Sequence, residues 1–254
     1  MSKIIALAGK GGVGKTTVSA LIARYFTQDG TEPLLAIDAD PNSNLGETLG
    51  LIIEKTVGDI REDFMRDPQG VPSGMDKILY LETLMHQVLV EHKNFDLLVM
   101  GRQEGQGCYC MVNNILNRFA EELEKNYTWL LVDNEAGMEH LSRRSSGRVD
   151  MLLLVTDYAL RGLRAVGRIN EMLGDLKLDV REKGLIVNRA PENLSSAFRE
   201  EAENIGIPII CTIPEDKNLL EFDMERKSLL DLPDNSPASG AVTDMMNKIK
   251  KMTG

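Results

Sequence analysis

Short apolar runs recur along this chain, and several end in a glycine, a carboxylate or an amide. They are Ile4–Ala8, Pro33–Ile37, Asn94–Met100, Tyr127–Asp133, Met151–Val155, Gly184–Val187 and Ile207–Cys211. Runs with little polar alternation are the mark of strands buried on both faces. Between them lie segments with apolar residues at helical spacing. Val18–Phe26, Ile78–Glu91, Val112 to Leu123, Ala159–Leu173 and Ser239–Met252 are predicted helices, and residues 46–74 read as short helical pieces punctuated by glycine and proline. Strands alternating with helices predict one doubly wound α/β domain over residues 1–254. Its sheet is expected to be mostly parallel, with about seven or eight strands and helices on both faces.

The first run and the first helix enclose Gly9-Lys10-Gly11-Gly12-Val13-Gly14-Lys15-Thr16-Thr17. This is G-x-x-x-x-G-K-[ST] in the strand–loop–helix setting of a phosphate loop. Its glycines let the backbone curl so that N–H groups point at phosphate oxygens, and the helix adds its positive end. Gly11, Gly12, Val13, Gly14, Lys15, Thr16 and Thr17 are thus the predicted phosphate contacts. Lys15 is expected on the β- and γ-phosphates and the Thr16 hydroxyl on Mg²⁺. A second strand ends in Asp38-Ala39-Asp40-Pro41-Asn42, and another in Asp133, the pattern of a Walker B carboxylate near Mg²⁺. Carboxylates at strand C-termini face the crevice where open parallel sheets bind ligands. Asp38 to Leu45 also reads as a polar turn that Asp and Asn stabilise locally.

Lys10 sets this loop apart, because Lys15 already serves the phosphates. The pattern K-G-G-x-G-K-T resembles the deviant phosphate loop of the MinD/ParA/nitrogenase-iron-protein ATPases, the SIMIBI type of P-loop NTPase. The resemblance implies ATP hydrolysis coupled to a homodimer, with Lys10 reaching the partner's nucleotide; alone, it reads equally as a solvated charge. Asp-x-Asp-Pro-x-x-Asn is similar to the family's first switch segment, which implies that Asp40 activates the attacking water and Asp38 supports Mg²⁺. Asn188, Pro214 and Asp216 match the positions that line the family's adenine pocket.

The glycine-rich stretch 101–107 leads into Cys108-Tyr109-Cys110, at or just before a predicted helix. A helix N-terminus favours the thiolate that binds metal. Two thiolates do not close a metal site, but two copies about a two-fold axis supply four. Nickel in square-planar form or zinc in tetrahedral form would accept such a set. A pair of partly buried thiols that act as small hydrophobes is the other reading. The second switch segment, residues 133–140, contains no cysteine, so the nitrogenase-type bridging cluster is broken. What remains resembles the nickel-inserting maturation ATPases of carbon monoxide dehydrogenase. That resemblance implies carbon monoxide dehydrogenase as client and Ni²⁺ as cargo, with Zn²⁺ acceptable to the same thiolates. A MinD/ParA-like positioning switch and an iron–sulfur carrier are the alternatives.

Composition narrows these classes. The 254 residues carry a net charge of −10, which argues against non-specific nucleic-acid binding as the main task. No apolar run approaches a membrane span, and a cytoplasmic protein with no membrane partner is expected. Three cysteines are too few for a disulfide framework; Cys211 reads as a core thiol. His86 and His92 read as surface or packing residues, and His140 as a bland polar one. Arg143, Arg144 and Arg148 form either a partner-facing patch or a solvated face. The C-terminal helix, with Val242, Met245, Met246, Ile249 and Met252 on one side, is expected to dock on its own domain rather than on a membrane.

Overall fold

The computed structural model describes residues 2–67, 70–102, 121–135, 147–174, 176 and 178–253. Its strands are β1 (Lys3–Gly9), β2 (Leu34–Asp38), β3 (Leu89–Glu91), β4 (Phe95–Val99), β5 (Trp129–Asp133), β6 (Arg148–Asp157), β7 (Asp179–Ala190) and β8 (Ile209–Pro214). They form one sheet in the order β3-β4-β2-β5-β1-β6-β7-β8. Every neighbouring pair is parallel except β3 with β4. The order reverses at β1, so the C-terminal ends of β1, β2 and β5 meet at a topological switch point, where such sheets bind ligands.

Alternate residues of β1 serve opposite cores. Ile4, Ala6 and Ala8 belong to one apolar cluster, and Ile5 and Leu7 to the other. Helices α1 (Lys15–Asp29) and α8 (Pro237–Thr253) cover the second face through Val18, Leu21, Ile22, Val242, Met246 and Ile249. The first face is covered by α3 (Val57–Arg66), α4 (Lys77–His86), α5 (Leu160–Met172) and α6 (Ser196–Ile205). They contribute Ile60, Phe64, Leu81, Met85, Leu163, Val166, Phe198 and Ala202. Two further helices, α2 (Asn44–Thr48) and α7 (Lys217–Met224), flank the C-terminal rim. Burial on both faces explains the near-continuous apolar runs.

The predicted helix over residues 78–91 stops at His86. Leu89–Glu91 instead forms the antiparallel edge strand, with Leu89 opposite Leu98 and Val90 opposite Leu97. A tight return in which the His92 N–H donates to the Phe95 carbonyl at 3.0 Å lets Leu89–Glu91 complete the sheet edge. His92 packs its ring on Phe95, with centroids 4.7 Å apart. Arg148 begins β6 and pairs with the buried Asp150 at 2.5 Å; Arg143 and Arg144 lie outside the described residues. No helix among the described residues is long and apolar enough to cross a membrane.

The C-terminal helix is docked. Val242, Met245, Met246 and Ile249 are buried. Arg24 of α1 donates to Ser239 Oγ at 2.8 Å, and Tyr25 Oη donates to Asn247 Oδ1 at 2.9 Å. Lys250 lies 2.6 Å from Asp29 and 2.7 Å from Glu32, so its charge is spent within the domain.

Candidate nucleotide site

The loop between β1 and α1 forms one wall of a cavity of about 760 Å³, a size that suits a bound small molecule. Gly11, Gly12, Gly14, Lys15, Thr16 and Thr17 line it, with Asp40 on one side and Asn188, Pro214 and Asp216 on the other. The structure therefore brings together ten of the residues singled out by the sequence. Val13 is buried beneath the loop, while its carbonyl accepts from Asn188 Nδ2 at 2.9 Å. Gly14 has to be glycine for two reasons. Its φ is +92°, and a Cβ there would stand 2.3 Å from Asn188 Nδ2.

Lys15 is 7% exposed. Its ammonium donates to the carbonyls of Gly9 at 3.1 Å and Lys10 at 3.4 Å. Burial holds it below the ordinary lysine value, against the pull of Asp133, Asp40 and Glu135. An anion arriving in the cavity would relieve that burial cost. Lys10 is exposed on the same loop, and its side chain has no ion-pair partner among the described residues.

Asp38 and Asp133 end β2 and β5 and are register partners. Asp38 is fully buried, yet its two oxygens accept from the N–H groups of Asp40 (3.1 Å) and Leu45 (2.9 Å). Burial pushes its carboxyl up to about 6, and those N–H groups pull it back. Asp133 is 1% exposed, and neither of its oxygens has a hydrogen-bond partner among the described residues. Burial pushes it up to about 7, with the Asp38 charge adding to the rise. The nearby Thr16 and Ser19 hydroxyls and the Lys15 ammonium lower it. The hydroxyls favour the charged form without completing a hydrogen bond to it. An orphaned buried carboxylate beside a threonine hydroxyl is a donor set that suits a hard divalent cation. Asp40 lies nearer the surface and accepts from Asn42 through the backbone N–H (2.8 Å) and Nδ2 (2.9 Å).

Asp216 is engaged within the chain. Its Oδ1 caps α7 by accepting from the Asn218 N–H (2.9 Å) and Nδ2 (2.8 Å). Its Oδ2 accepts from Ser236 Oγ at 2.5 Å and the Ala238 N–H at 3.2 Å. It thus ties the starts of α7 and α8 while lining the cavity. Arg189 and Asn134 were not singled out by the sequence. Arg189 donates to the Gly12 carbonyl at 2.7 Å, and buried Asn134 donates to the Leu7 carbonyl at 2.9 Å. Both contacts are tertiary, at separations of 177 and 127 residues, and no local motif announces them. Cys108, Cys110 and His140 lie outside the described residues. Among the described residues no group of three His, Cys, Asp or Glu is placed to hold a metal ion.

Comparison with known proteins agrees with this geometry. The model of the CobQ/CobB/MinD/ParA nucleotide binding domain matches residues 4–229. The chain is 40% identical over 248 residues to an uncharacterised ATP-binding protein of Methanocaldococcus jannaschii, covering 97% of this chain and 98% of that one. It is 33% identical over 186 residues to the carbon monoxide dehydrogenase accessory protein CooC of Rhodospirillum rubrum, covering 68% and 69%. Among solved structures, a chain of the MinC:MinD cell division protein complex of Aquifex aeolicus superposes with a TM-score of 0.71 at 25% identity. That superposition covers 98% of this chain and 96% of that one. The phosphate loop, the two strand-end carboxylates and the family match over most of the chain lead to one conclusion: the chain belongs to the CobQ/CobB/MinD/ParA nucleotide-binding family and is an ATPase of the MinD/ParA type.

Proposed function

We propose that this ATPase works as a homodimer that carries nickel to carbon monoxide dehydrogenase and inserts it during maturation of that enzyme. The observation that carries the reading is the combination, in one chain, of Lys10 in the phosphate loop with Cys108-x-Cys110. The similarity to the carbon monoxide dehydrogenase accessory protein of Rhodospirillum rubrum supports it.

In this reading Lys15 and the N–H groups of residues 11–17 bind the phosphates of ATP or ADP. Thr16, Asp38 and Asp133 hold Mg²⁺, which when bound neutralises charge on the β- and γ-phosphates. Asp40 orients the water that attacks the γ-phosphate. Lys10 places its charge against the nucleotide of the partner subunit. Asn188, Pro214 and Asp216 face the base. Closure on ATP brings the Cys108–Cys110 pairs of two subunits together around the Ni²⁺ cargo, with Zn²⁺ as a competitor for the same four thiolates. Hydrolysis parts them and releases the metal to the client.

Equilibrium dialysis of the reduced protein against Ni²⁺ and Zn²⁺, with the mass in solution measured alongside, tests this. The expected result is one metal per two chains, lost when Cys108 and Cys110 are both changed to serine. Equal binding by the double variant would overturn the metal reading and leave the ATPase untouched. The outcome would then favour the positioning-switch alternative, to which the fold similarity with the MinC:MinD complex also points. The docked C-terminal helix weighs against a membrane-bound form of that alternative.

A further inference from the structure

We infer that Asn188 and Arg189 form a brace that holds the phosphate loop in its anion-receiving shape before nucleotide arrives, with Arg189 as a positioning residue for phosphate binding. The inference rests on the ATP site alone and is independent of the metal cargo.

Three observations carry it. The first is which atoms are held. Arg189 Nη2 donates to the carbonyl of Gly12 at 2.7 Å, and Asn188 Nδ2 donates to the carbonyl of Val13 at 2.9 Å. In a trans peptide the carbonyl and the following N–H point in opposite directions. Fixing these two carbonyls on the Asn188–Arg189 side therefore aims the N–H groups of Val13 and Gly14 the other way. Gly12 and Gly14, on either side of Val13, both have positive φ, at +80° and +92°. Such a backbone forms an N–H concavity for anions, and the brace fixes two consecutive peptide planes of it.

The second observation is how two consecutive residues reach one loop. In a regular strand their side chains would point to opposite faces. Here β7 departs from the ladder: its pairing with β8 shifts between Val187 and Ala190. Val187 faces Thr212 and Ala190 faces Pro214, so β7 carries one extra residue, as in a bulge. Arg189 adopts φ +51°, a left-handed conformation unusual for arginine. The Arg189 N–H donates to Asn188 Oδ1 at 3.0 Å, which orients the asparagine amide toward Val13.

The third is where the Arg189 side chain is spent. It is exposed rather than packed in a core, and its guanidinium reaches the Gly12 carbonyl. An unusual backbone conformation that places a cation's donor on a phosphate-loop carbonyl serves the loop rather than the core.

The test compares wild type with Arg189→Ala and Arg189→Lys. Binding of ADP and ATP is measured by titration, KM and kcat by phosphate release, and unfolding by heat without nucleotide. Hydrogen exchange over residues 10–17 is followed in the nucleotide-free protein. For Arg189→Ala we expect ADP affinity and KM to worsen by about tenfold, the loss of one hydrogen bond to a charged donor. Exchange at Val13 and Gly14 should be faster without nucleotide, while the melting temperature stays close to wild type. Arg189→Lys, which keeps one donor, should recover most of the affinity. Unchanged ADP affinity and exchange would overturn the brace. So would a fall in kcat with ADP affinity intact, which would mean that Arg189 acts at the reacting phosphate. A melting temperature that drops in step with affinity would make Arg189 a general stability residue, and the inference would fail.

Discussion

Asp38 and Asp133 are neighbours across the β2–β5 ladder, and they differ in one respect. Asp38 has both oxygens satisfied by backbone N–H groups, whereas neither Asp133 oxygen is partnered among the described residues. Two buried carboxylates side by side repel when both are charged. Asp38 anchors the turn after β2, but among the described residues Asp133 makes no hydrogen bond that would offset its burial. The proposed Mg²⁺ site would account for keeping that carboxylate.

The pair makes nucleotide-free stability depend on pH. Both folded-state values, about 6 and about 7, lie above the ordinary aspartate value. Between about pH 4 and 7 the unfolded chain has released protons that the folded chain still holds. Stability is therefore lost as pH rises through that window, each carboxyl contributing up to about 1.4 kcal/mol per pH unit while it stays protonated in the fold. Carboxylates held low by a cation, such as Asp29 beside Lys250, act with the opposite sign below about pH 4. Urea unfolding without Mg²⁺ or nucleotide should show a lower midpoint at pH 8 than at pH 5. Asp133→Asn should flatten the slope and raise the midpoint at pH 8 while abolishing ATP hydrolysis. A midpoint that rises between pH 5 and 8 would contradict the burial argument.

Gly14→Ala should fail twice over. The alanine Cβ would stand 2.3 Å from Asn188 Nδ2, on a backbone with φ +92°. We expect a stability loss of about 1–3 kcal/mol and ADP affinity weakened by more than about tenfold. Titration with ADP and urea unfolding of the same sample report the two losses separately.

Asp216 lines the cavity and also ties the starts of α7 and α8. Removing its carboxylate frees the N–H groups of Asn218 and Ala238 and the Ser236 hydroxyl together. Asp216→Ala should cost about 2–3 kcal/mol in urea unfolding, more than a single lost cap. A normal midpoint with ADP affinity lost would instead assign Asp216 to direct contact with the base.

The docked C-terminal helix predicts that the wild-type chain stays in the supernatant when anionic vesicles are pelleted, with or without ATP. Met246→Ala, at a fully buried position, should lower stability by about 2–5 kcal/mol. ATP-dependent pelleting of the wild type would contradict the docking of this helix on α1 and the sheet.

The sheet and the phosphate loop were legible because their signals are local. Apolar runs such as Leu34–Asp38 and Trp129–Asp133 are long enough to be read, and the loop's glycines and lysines are consecutive. Leu89–Glu91 was not legible as a strand: Leu89 and Val90 continue the helical spacing of α4, and only pairing with β4 decides the outcome. Asn188 was legible as a polar residue at a strand end, but its grip on Val13 was not. Arg189 gave no signal, since arginine has no preference for a left-handed backbone. Asp216 read as a ligand position, and only the fold reveals that both its oxygens are already engaged.

The bond between Asn188 and Val13 spans 175 residues, and that between Arg189 and Gly12 spans 177. On the ribosome this has a consequence in time. The phosphate loop leaves the ribosome before the strand that braces it, which is synthesised about nine to thirty-five seconds later at ordinary elongation rates. Until β7 has docked beside β6, the emerging chain holds the motif without the two bonds that brace it. A nascent or truncated chain that lacks β7 should therefore bind ATP more weakly than the full chain.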